Sequence, residues 1–303
     1  MGMKQIKIKS TDNYELSLNL YETKKPKAII QVIHGMEEHQ GRYVEFATYL
    51  AKEGFMVVTS DMRGHGPDAK ELGYFKDKDG HKQLIDDQKI IRAYIKEHYN
   101  GTPVYLFGHS MGTMIARVLL QTESKSYDKV ILCGYPNYNP AAIGGIAISS
   151  LIRTFKGAKY DSKLLQDMTT GSFAKTLENP KTPLDWLSYN EENIKKYQED
   201  TLCGFNFTVS AYNALFHLMN DMHKSSKYKN TNNDLQFLMI AGKEDPCTGG
   251  EKGTAGSIKT LEKAGFKNIT RIDYEGMRHE ILNEDEKEKV YKDVVEFIEK
   301  RNH

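Results

Sequence analysis

Gly108-His109-Ser110-Met111-Gly112 is a G-x-S-x-G pentapeptide between an apolar run, Val104-Tyr105-Leu106-Phe107, and a helical pattern over residues 111–122. Glycines two positions before and two positions after the serine allow the backbone to turn sharply from a strand into a helix. Such a turn exposes the serine hydroxyl and directs the helix N-terminus toward a developing oxyanion. The stretch therefore predicts that Ser110 is a nucleophile at the carboxyl end of a buried strand.

Apolar runs on both sides of this motif predict an α/β protein with a mostly parallel sheet and helices on both faces. The runs 28–33, 55–58 and 104–107 have the pattern of strands buried on both faces. The further predicted strands are 129–133, 235–241 and 268–274, and the predicted helices are 43–53, 82–99, 111–122 and about 284–300. Ahead of them, apolar and polar residues alternate at 4–10 and 14–21, which predicts an antiparallel hairpin.

The strand and helix alternation lapses between Tyr135 and about Asn233, where aromatic residues, prolines and a Gly-Gly pair occur instead. We therefore predict a core formed by residues 1–135 and 234–303, with residues 136–233 inserted as a helical cap. A cap in this place would cover the carboxyl edge of the sheet, where α/β proteins bind their ligands.

Composition excludes several classes of protein. The net charge of +1, from 42 basic and 41 acidic residues, gives no global field that would attract nucleic acid. No apolar stretch has the length of a membrane span, and the residues after Met1 lack the apolar core of a secretory signal. The three cysteines are scattered and form no CxxC pair, which argues against a zinc site and favours a reducing compartment. We expect a cytoplasmic protein.

A serine hydroxyl needs a base, and the base needs an acceptor that fixes its tautomer. In an enzyme with this turn, the order along the chain is serine, acid, histidine. Asp245 and His279 satisfy that order, and each follows a predicted strand. Glu244 and Glu280 compete for the role of the acid, but Asp245-Pro246 has the chemistry of a loop that presents a side chain. We predict a triad of Ser110, Asp245 and His279.

Acyl transfer also needs two backbone N–H donors that hold the oxyanion. One donor belongs to the residue after the nucleophile, Met111, and the other lies in the loop after the third strand. That loop contains Gly35, which allows close approach of the backbone to a substrate, followed by Met36. We predict an oxyanion hole formed by Met36 and Met111, with no cofactor and no metal ion.

At these residues the chain resembles the monoacylglycerol lipase and lysophospholipase group of α/β hydrolases, which is also catalogued with serine aminopeptidases. The resemblance spans nearly the whole chain. The segments that carry it are His34-Gly35-x-x-Glu38-His39-x-x-Arg42-Tyr43, Asp61-x-Arg63-Gly64-His65-Gly66, Gly108-His109-Ser110-Met111-Gly112, Gly242-x-x-Asp245-Pro246 and Gly276-x-x-His279-Glu280. It implies the α/β-hydrolase fold and the same triad and oxyanion hole.

The resemblance also implies roles in substrate binding for Glu38 and Arg42, since family members that bind glycerol use the matching residues. Some members add a histidine three positions after the catalytic one, where this chain has Leu282. That departure argues against a strict monoacylglycerol preference.

We therefore expect a serine carboxylic-ester hydrolase that acts on a small ester or lipid through an acyl-enzyme on Ser110. An aminopeptidase or amidase would use the same triad, with acidic cap residues such as Glu178, Asp185 or Glu191 holding an α-amino group. A thioesterase would show the same pattern. A binding protein on a hydrolase scaffold would be expected to have lost part of the triad, and every member is present.

Apolar residues of the predicted cap leave two interpretations open. They fit an acyl channel or a transient contact with a membrane surface, and they fit equally well the packing core of the cap itself. These residues are Ile143, Ile146, Ile148, Leu151, Ile152 and Phe155.

Overall fold

The computed structural model describes residues 2–171 and 173–300. An eight-stranded sheet runs in the order β1-β2-β4-β3-β5-β6-β7-β8. The strands are β1 (Gly2–Lys9), β2 (Glu15–Glu22), β3 (Ile29–Ile33), β4 (Met56–Ser60), β5 (Val104–His109), β6 (Lys129–Cys133), β7 (Gln236–Gly242) and β8 (Asn268–Tyr274). The pairs from β4 through β8 are parallel, whereas β1 pairs with β2 and β2 with β4 in antiparallel fashion. The predicted fold class is confirmed.

Nine α-helices of the described residues surround or cap this sheet. They are α1 (Val44–Lys52), α2 (Gly80–His98), α3 (Met111–Glu123), α4 (Ala141–Lys156), α5 (Lys163–Thr169), α6 (Glu191–Glu199), α7 (Val209–Met222), α8 (Gly250–Lys263) and α9 (Lys287–Glu299). The predicted helix at 43–53 instead begins with a 3₁₀ turn, Gln40–Tyr43, which precedes α1. No helix of the described ranges has the length and apolar character that a membrane crossing requires.

The central strands divide the core into two layers, because successive side chains point to opposite faces of a sheet. Leu106 of β5 packs in the layer that holds α2 and α3. Its neighbour Phe107 packs in the layer that holds α1 and α9, with its ring centroid 5.2 Å from that of Phe46. Since β3, β5 and β6 are buried at every position, both faces are covered by helices.

The segment between β6 and β7 contains α4 to α7. Helix α7 packs into the same core layer as α3, and its Leu218 is completely buried. Helix α4 lies against α7, since a Cβ atom on Gly145 would come within 2.7 Å of the Phe216 ring and Asn213 donates to Ser149 Oγ at 2.8 Å. The division into a core and a cap over 136–233 stays a prediction, and α7 is the part of that range most firmly joined to the core.

Candidate active site

Ser110 lies at a sharp turn between β5 and α3, with φ 51° and ψ −119°. Its amide donates to Cys133 O at 3.0 Å, which fixes the turn against β6. The flanking glycines are sterically required: a Cβ on Gly112 would lie 2.2 Å from Ile33 O, and one on Gly108 would lie 2.7 Å from Gly112 O. A non-glycine residue at positive φ costs of the order of 1–3 kcal/mol, so the surrounding contacts must hold Ser110 in place.

His279 and Asp245 form a buried hydrogen-bonded pair. The loops after β7 and β8 bring them together, and His279 Nδ1 donates to Asp245 Oδ2 at 2.9 Å. The other carboxylate oxygen of Asp245 accepts from Cys247 N at 2.8 Å, which fixes the carboxylate orientation. This arrangement leaves Nε2 of His279 as the ring nitrogen available for proton transfer. His279 and Ser110 both line one cavity.

The pKa of His279 is set by two opposing effects. Burial alone would lower it, but the charge of Asp245 and the hydrogen bond to it raise the pKa of His279 well above its ordinary value. The ring of Trp186 covers the imidazole, with centroids 4.9 Å apart. The site therefore stabilises the imidazolium that forms when the base accepts a proton.

The loop after β3 approaches the nucleophile closely. A Cβ on Gly35 would lie 3.1 Å from Ser110 Cβ, so only glycine allows this approach without displacing the serine. Glu38 braces the loop, because its Oε1 accepts from Gly35 N at 2.5 Å and from Tyr43 OH at 2.7 Å. Met36 in this loop and Met111 at the start of α3 line the cavity beside Ser110.

Arg42 lies behind this loop, outside the cavity lining. Its guanidinium donates to both carboxylate oxygens of Glu280 at 2.5 and 2.8 Å, to Asn193 Oδ1 at 2.9 Å and to Glu38 Oε2 at 3.3 Å. Burial would raise the pKa of Glu280, but Arg42 outweighs it and holds that pKa at about 2. The structure thus places Glu38 on the cavity wall and Arg42 among its buried supports.

The two acids that compete with Asp245 are engaged elsewhere. Glu280 is occupied by Arg42, and the carboxylate of Glu244 accepts the hydroxyl of Tyr189 on the protein surface. Among the described residues, only the Asp245 carboxylate accepts a hydrogen bond from the His279 ring.

The cavity has a volume of about 670 Å³ and two chemically different walls. We call the first the apolar wall; it comes from α3, α4 and α7 and consists of Met114, Ala142, Leu215, Phe216 and Met219. We call the second the polar wall; it comes from the loop after β3, from α6 and the segment after it, and from the loop after β8, and it consists of Glu37, Glu38, Tyr197, Gln198, Cys203, Gly204 and Glu280. The apolar wall suits the acyl chain of an ester, and the polar wall suits the alcohol part.

Glu37 is a cavity residue that sequence reasoning missed. Its backbone is left-handed, with φ 56°, and its buried Oε1 has no hydrogen-bond partner among the described residues. Burial raises the pKa of Glu37 to about 8. The available signal was a second acidic residue directly after the predicted oxyanion donor Met36, which we read only as part of a loop motif.

One buried carboxylate joins the segment before α6 to the loop that carries His279. Glu284, which is buried, accepts from Ser188 Oγ at 2.8 Å and from the amides of Tyr189, Asn190 and Arg278 at 2.9–3.1 Å. In addition, Glu280 N donates to Leu187 O at 2.7 Å. The segment that carries Trp186 is therefore joined to the loop that carries His279.

Among the residues that the structure describes, two groups of side chains have the donor types of a metal site, namely His39 with Asp200 and Cys203, and Asp245 with Cys247 and His279. In each group the histidine already bonds to the carboxylate, at 2.8 Å for His39 and Asp200. Burial also raises the pKa of both thiols, which disfavours the thiolate that a metal would need. We describe both groups as hydrogen-bonded pairs beside a thiol.

With this geometry in hand, comparison with known proteins identifies the family. The family described as "Serine aminopeptidase, S33" matches residues 24–286. The chain belongs to this family. It is 25% identical to the monoglyceride lipase of Mus musculus over 271 residues, which are 86% of this chain and 77% of that protein.

Two bacterial relatives give similar values. A phospholipase of Bacillus subtilis is 26% identical over 280 residues, 90% of this chain and 95% of that protein. A thermostable carboxyl esterase from Bacillus coagulans, solved in complex with glycerol, superposes with a TM-score of 0.89 at 25% identity and covers 98% of both chains. The resemblance to α/β hydrolases of the lipase and esterase group is thus confirmed.

Proposed function

We propose that this protein is a serine carboxylic-ester hydrolase with Ser110 as nucleophile, His279 as base and Asp245 as orienting acid. The observation that carries the proposal is a strained serine and a buried His–Asp pair that share one cavity with an apolar and a polar wall. The names of the relatives, a monoglyceride lipase, a phospholipase and a carboxyl esterase, support the same chemistry.

In the proposed reaction, His279 takes the proton of Ser110 as the hydroxyl oxygen attacks the ester carbonyl. The amides of Met36 and Met111 hold the oxyanion of the tetrahedral intermediate, and the imidazolium then gives its proton to the departing alcohol. Water, activated by the same histidine, releases the carboxylic acid from the acyl-enzyme. No cofactor takes part in these steps.

Glu38 and Arg42 support this chemistry from behind the loop after β3. Glu38 positions the amide of Gly35 and has one face on the cavity, whereas Arg42 holds Glu38 and Glu280 in place. We therefore propose that Glu38 contacts the alcohol part of the substrate and that Arg42 acts through Glu38.

An aminopeptidase or amidase is the second candidate, and it is not favoured. Glu178, Asp185 and Glu191, the acids considered for an α-amino group, lie outside the cavity lining, and Glu191 pairs with Lys181. Glu37 does line the cavity, but its pKa of about 8 leaves it mostly protonated near neutral pH, which makes it a poor partner for an ammonium group.

We also propose a transient contact between α4 and a membrane surface. Its outward side chains Ile143, Ile148, Leu151 and Phe155 are exposed, whereas Ile146 and Ile152 pack against the core layer of α7. A helix packed on one side and apolar on the other fits a lipid surface. For the compartment, three buried free thiols support the cytoplasm.

Hydrolysis of a series of p-nitrophenyl esters, from roughly two to sixteen acyl carbons, tests the function. A glycerol monoester, a lysophospholipid and an aminoacyl arylamide belong beside the series, with Ser110→Ala as control. We expect ester cleavage that peaks at one chain length and is abolished by Ser110→Ala. Cleavage of the arylamide alone would make the protein a peptidase, and full activity of Ser110→Ala would refute the nucleophile.

A further inference from the structure

A second cavity, with a volume of about 400 Å³, lies beside the candidate active site. It is lined by residues of α3, of the end of α7 and of α8, and by the segment that leads from β6 to α4. Asn137 of that segment lines both cavities, whereas the lining of the second one includes neither Ser110 nor His279. The second cavity is therefore a separate space that the proposed hydrolysis does not use.

Basic side chains line this second cavity. Arg117, His223 and Lys252 belong to the lining, and none of its members within the described ranges is an aspartate or a glutamate. Glu251, which precedes Lys252 in α8, bonds to β8 instead, where its carboxylate oxygens accept from Arg271 at 2.8 and 2.7 Å. An anion in this cavity would thus meet cations without a competing carboxylate.

Arg117 is the buried member of this group, since the residue is only 4% exposed. Its Nε donates to Thr113 O at 3.2 Å and its Nη2 donates to Pro136 O at 2.7 Å, which fixes the guanidinium. Nη1 has no acceptor among the described residues and is not sealed from solvent. Because Arg117 lines only the second of the two cavities, this free N–H group is available to a molecule in it.

The charge of Arg117 has no carboxylate partner in the described part of the chain. Burial lowers the pKa of Arg117 to about 10, and the groups that act against burial are the phenols of Tyr228 and Tyr135. A phenol is neutral near neutral pH, so the guanidinium stays charged without an anionic partner. A buried charge without a partner is unfavourable, and an anion in the cavity would supply that partner.

Two glycines of α8 line the cavity for different reasons. At Gly253 a Cβ would lie 2.0 Å from Thr248 O, so the packing of the protein itself requires glycine. At Gly256 a Cβ would meet no heavy atom within 4 Å, although glycine is less favourable than alanine inside a helix. A side chain at position 256 would therefore extend into open space at the cavity lining without displacing neighbouring atoms.

We infer that this second cavity is a binding site for a phosphate group, with Arg117 as the buried donor and Lys252 as a cation at its exposed rim. Phosphate fits better than a carboxylate, because it offers more acceptor oxygens and more negative charge to two permanent cations. The positive end of the α8 dipole lies on the same side, since Gly249, Lys252 and Gly253 all line the cavity. The phosphate group can belong to a soluble monoester or to the diester headgroup of a lipid. Such binding does not depend on the proposed hydrolysis.

Isothermal titration calorimetry with the full chain tests the site, using inorganic phosphate, glycerol phosphate and glycerophosphoglycerol at one ionic strength set with sodium chloride. Glycerol phosphate represents a soluble monoester, and glycerophosphoglycerol represents the headgroup of phosphatidylglycerol. Gly256→Asp places a carboxylate on the cavity lining, and Arg117→Gln removes the buried cation. Ala255→Asp adds the same charge as Gly256→Asp at an exposed neighbour outside the lining and is the matched control.

We expect saturable binding of at least one of these phosphates to the wild type. Gly256→Asp and Arg117→Gln should each weaken it at least tenfold, because the first adds a repelling charge and the second removes a charge-assisted hydrogen bond. Ala255→Asp should stay within about twofold of the wild type. Tighter binding of glycerol phosphate than of glycerophosphoglycerol would identify the ligand as a soluble monoester, and the reverse order would identify a lipid headgroup.

Failure of all three phosphates to bind the wild type would overturn the inference. Binding that Gly256→Asp leaves within about twofold of the wild type would place the phosphate elsewhere and overturn it as well. So would an equal loss in Gly256→Asp and Ala255→Asp, which would show a general effect of charge. Gly256→Asp keeps Arg117 and its hydrogen bonds, so this comparison holds even if Arg117→Gln does not fold.

Discussion

The rings of His109 and His279 have centroids 4.9 Å apart, yet their pKa values shift in opposite directions. Burial, together with the charge of the neighbouring His279, lowers the pKa of His109 to about 4. His279 is equally buried, but the carboxylate of Asp245 at 2.9 Å more than compensates. The Asp245 carboxylate therefore determines that His279 is the imidazole that can carry a proton during the reaction, whereas the adjacent His109 stays neutral.

This reasoning predicts the effect of replacing the acid. Asp245→Asn should lower kcat roughly 10³- to 10⁴-fold with little change in KM, because an amide favours the wrong imidazole tautomer, as it does in serine proteases. Steady-state hydrolysis of a p-nitrophenyl ester measures it. Glu244→Gln, one residue away, is the control and should stay within about twofold, since Glu244 bonds to Tyr189 on the surface. Less than a tenfold loss for Asp245→Asn would assign the role to another acid.

Among the secondary-structure elements, the segment before α6 is joined to the loop after β8 by the Glu284 carboxylate and by the hydrogen bond from Glu280 N to Leu187 O. Glu284 satisfies three backbone amides and one hydroxyl, on both sides of that contact. Buried amides that lose their acceptor are expensive, so this contact is far more stable than an ordinary surface loop.

Glu284→Ala should consequently lower Tm by about 5 °C and loosen both segments, because it leaves several buried donors unpaired. Hydrogen exchange measured by mass spectrometry should show faster exchange in peptides that cover 186–190 and 278–280. The adjacent exposed residue gives a matched control, and Asp285→Ala should change neither quantity. Unchanged exchange around Trp186 would show that other contacts hold the cap in place.

The exposed face of α4 gives a second prediction at this scale. The double variant Leu151→Ser, Phe155→Ser removes two side chains that are 61% and 77% exposed. We expect the variant to cosediment at least tenfold more weakly than the wild type with vesicles of phosphatidylcholine and phosphatidylglycerol. In the wild type, Leu151 and Phe155 would insert into the lipid, and the basic Arg153 and Lys156 lie in the last turn of the same helix. Hydrolysis of a short soluble ester should not change. Met3→Ser, at an exposed site on β1, is the control; equal binding by all variants would refute the contact.

At the scale of the whole molecule, the sequence predicts strands and helices whose pattern lies in consecutive residues. It misses features that depend on contacts between residues far apart in the chain. The order of strands follows from runs such as 129–133, which the structure reproduces to the residue. The pairing of His279 with Asp245 followed from chain order. In contrast, the backbone conformation of Glu37 is held by hydrogen bonds from Tyr197 and Gly204, more than 150 positions away, and no local sequence pattern predicts it.

The same limit explains the range predicted as a cap. Helix α4 has apolar residues both on the side that packs against α7 and on its exposed side, so their spacing does not show which face is buried. Helix α7 therefore could not be distinguished from its neighbours, although its apolar residues complete the core layer of α3. Likewise, Glu284 acts by accepting hydrogen bonds from backbone amides, and a backbone amide gives no signal in the sequence.

A carboxyl group whose pKa is raised by folding destabilises the protein in a defined pH range, and burial raises the pKa of Glu37 from its ordinary value of about 4.5 to about 8. The folded state binds the extra proton between these values, so the free energy of unfolding falls as pH rises from about 4.5 to about 8 and stays lowered above that. Because one pKa unit corresponds to about 1.4 kcal/mol, the full effect is several kcal/mol. The side chain introduced in Glu37→Gln cannot ionise, so the free energy of unfolding of this variant does not carry the pH-dependent loss. The free energy of unfolding of Glu37→Gln minus that of the wild type should therefore be smallest near pH 4 and about 3 kcal/mol or more larger at pH 9. Urea unfolding at the two pH values measures this difference. Glu192→Gln should show no such trend. A difference between Glu37→Gln and the wild type that is independent of pH would mean that the Glu37 carboxyl group is solvated.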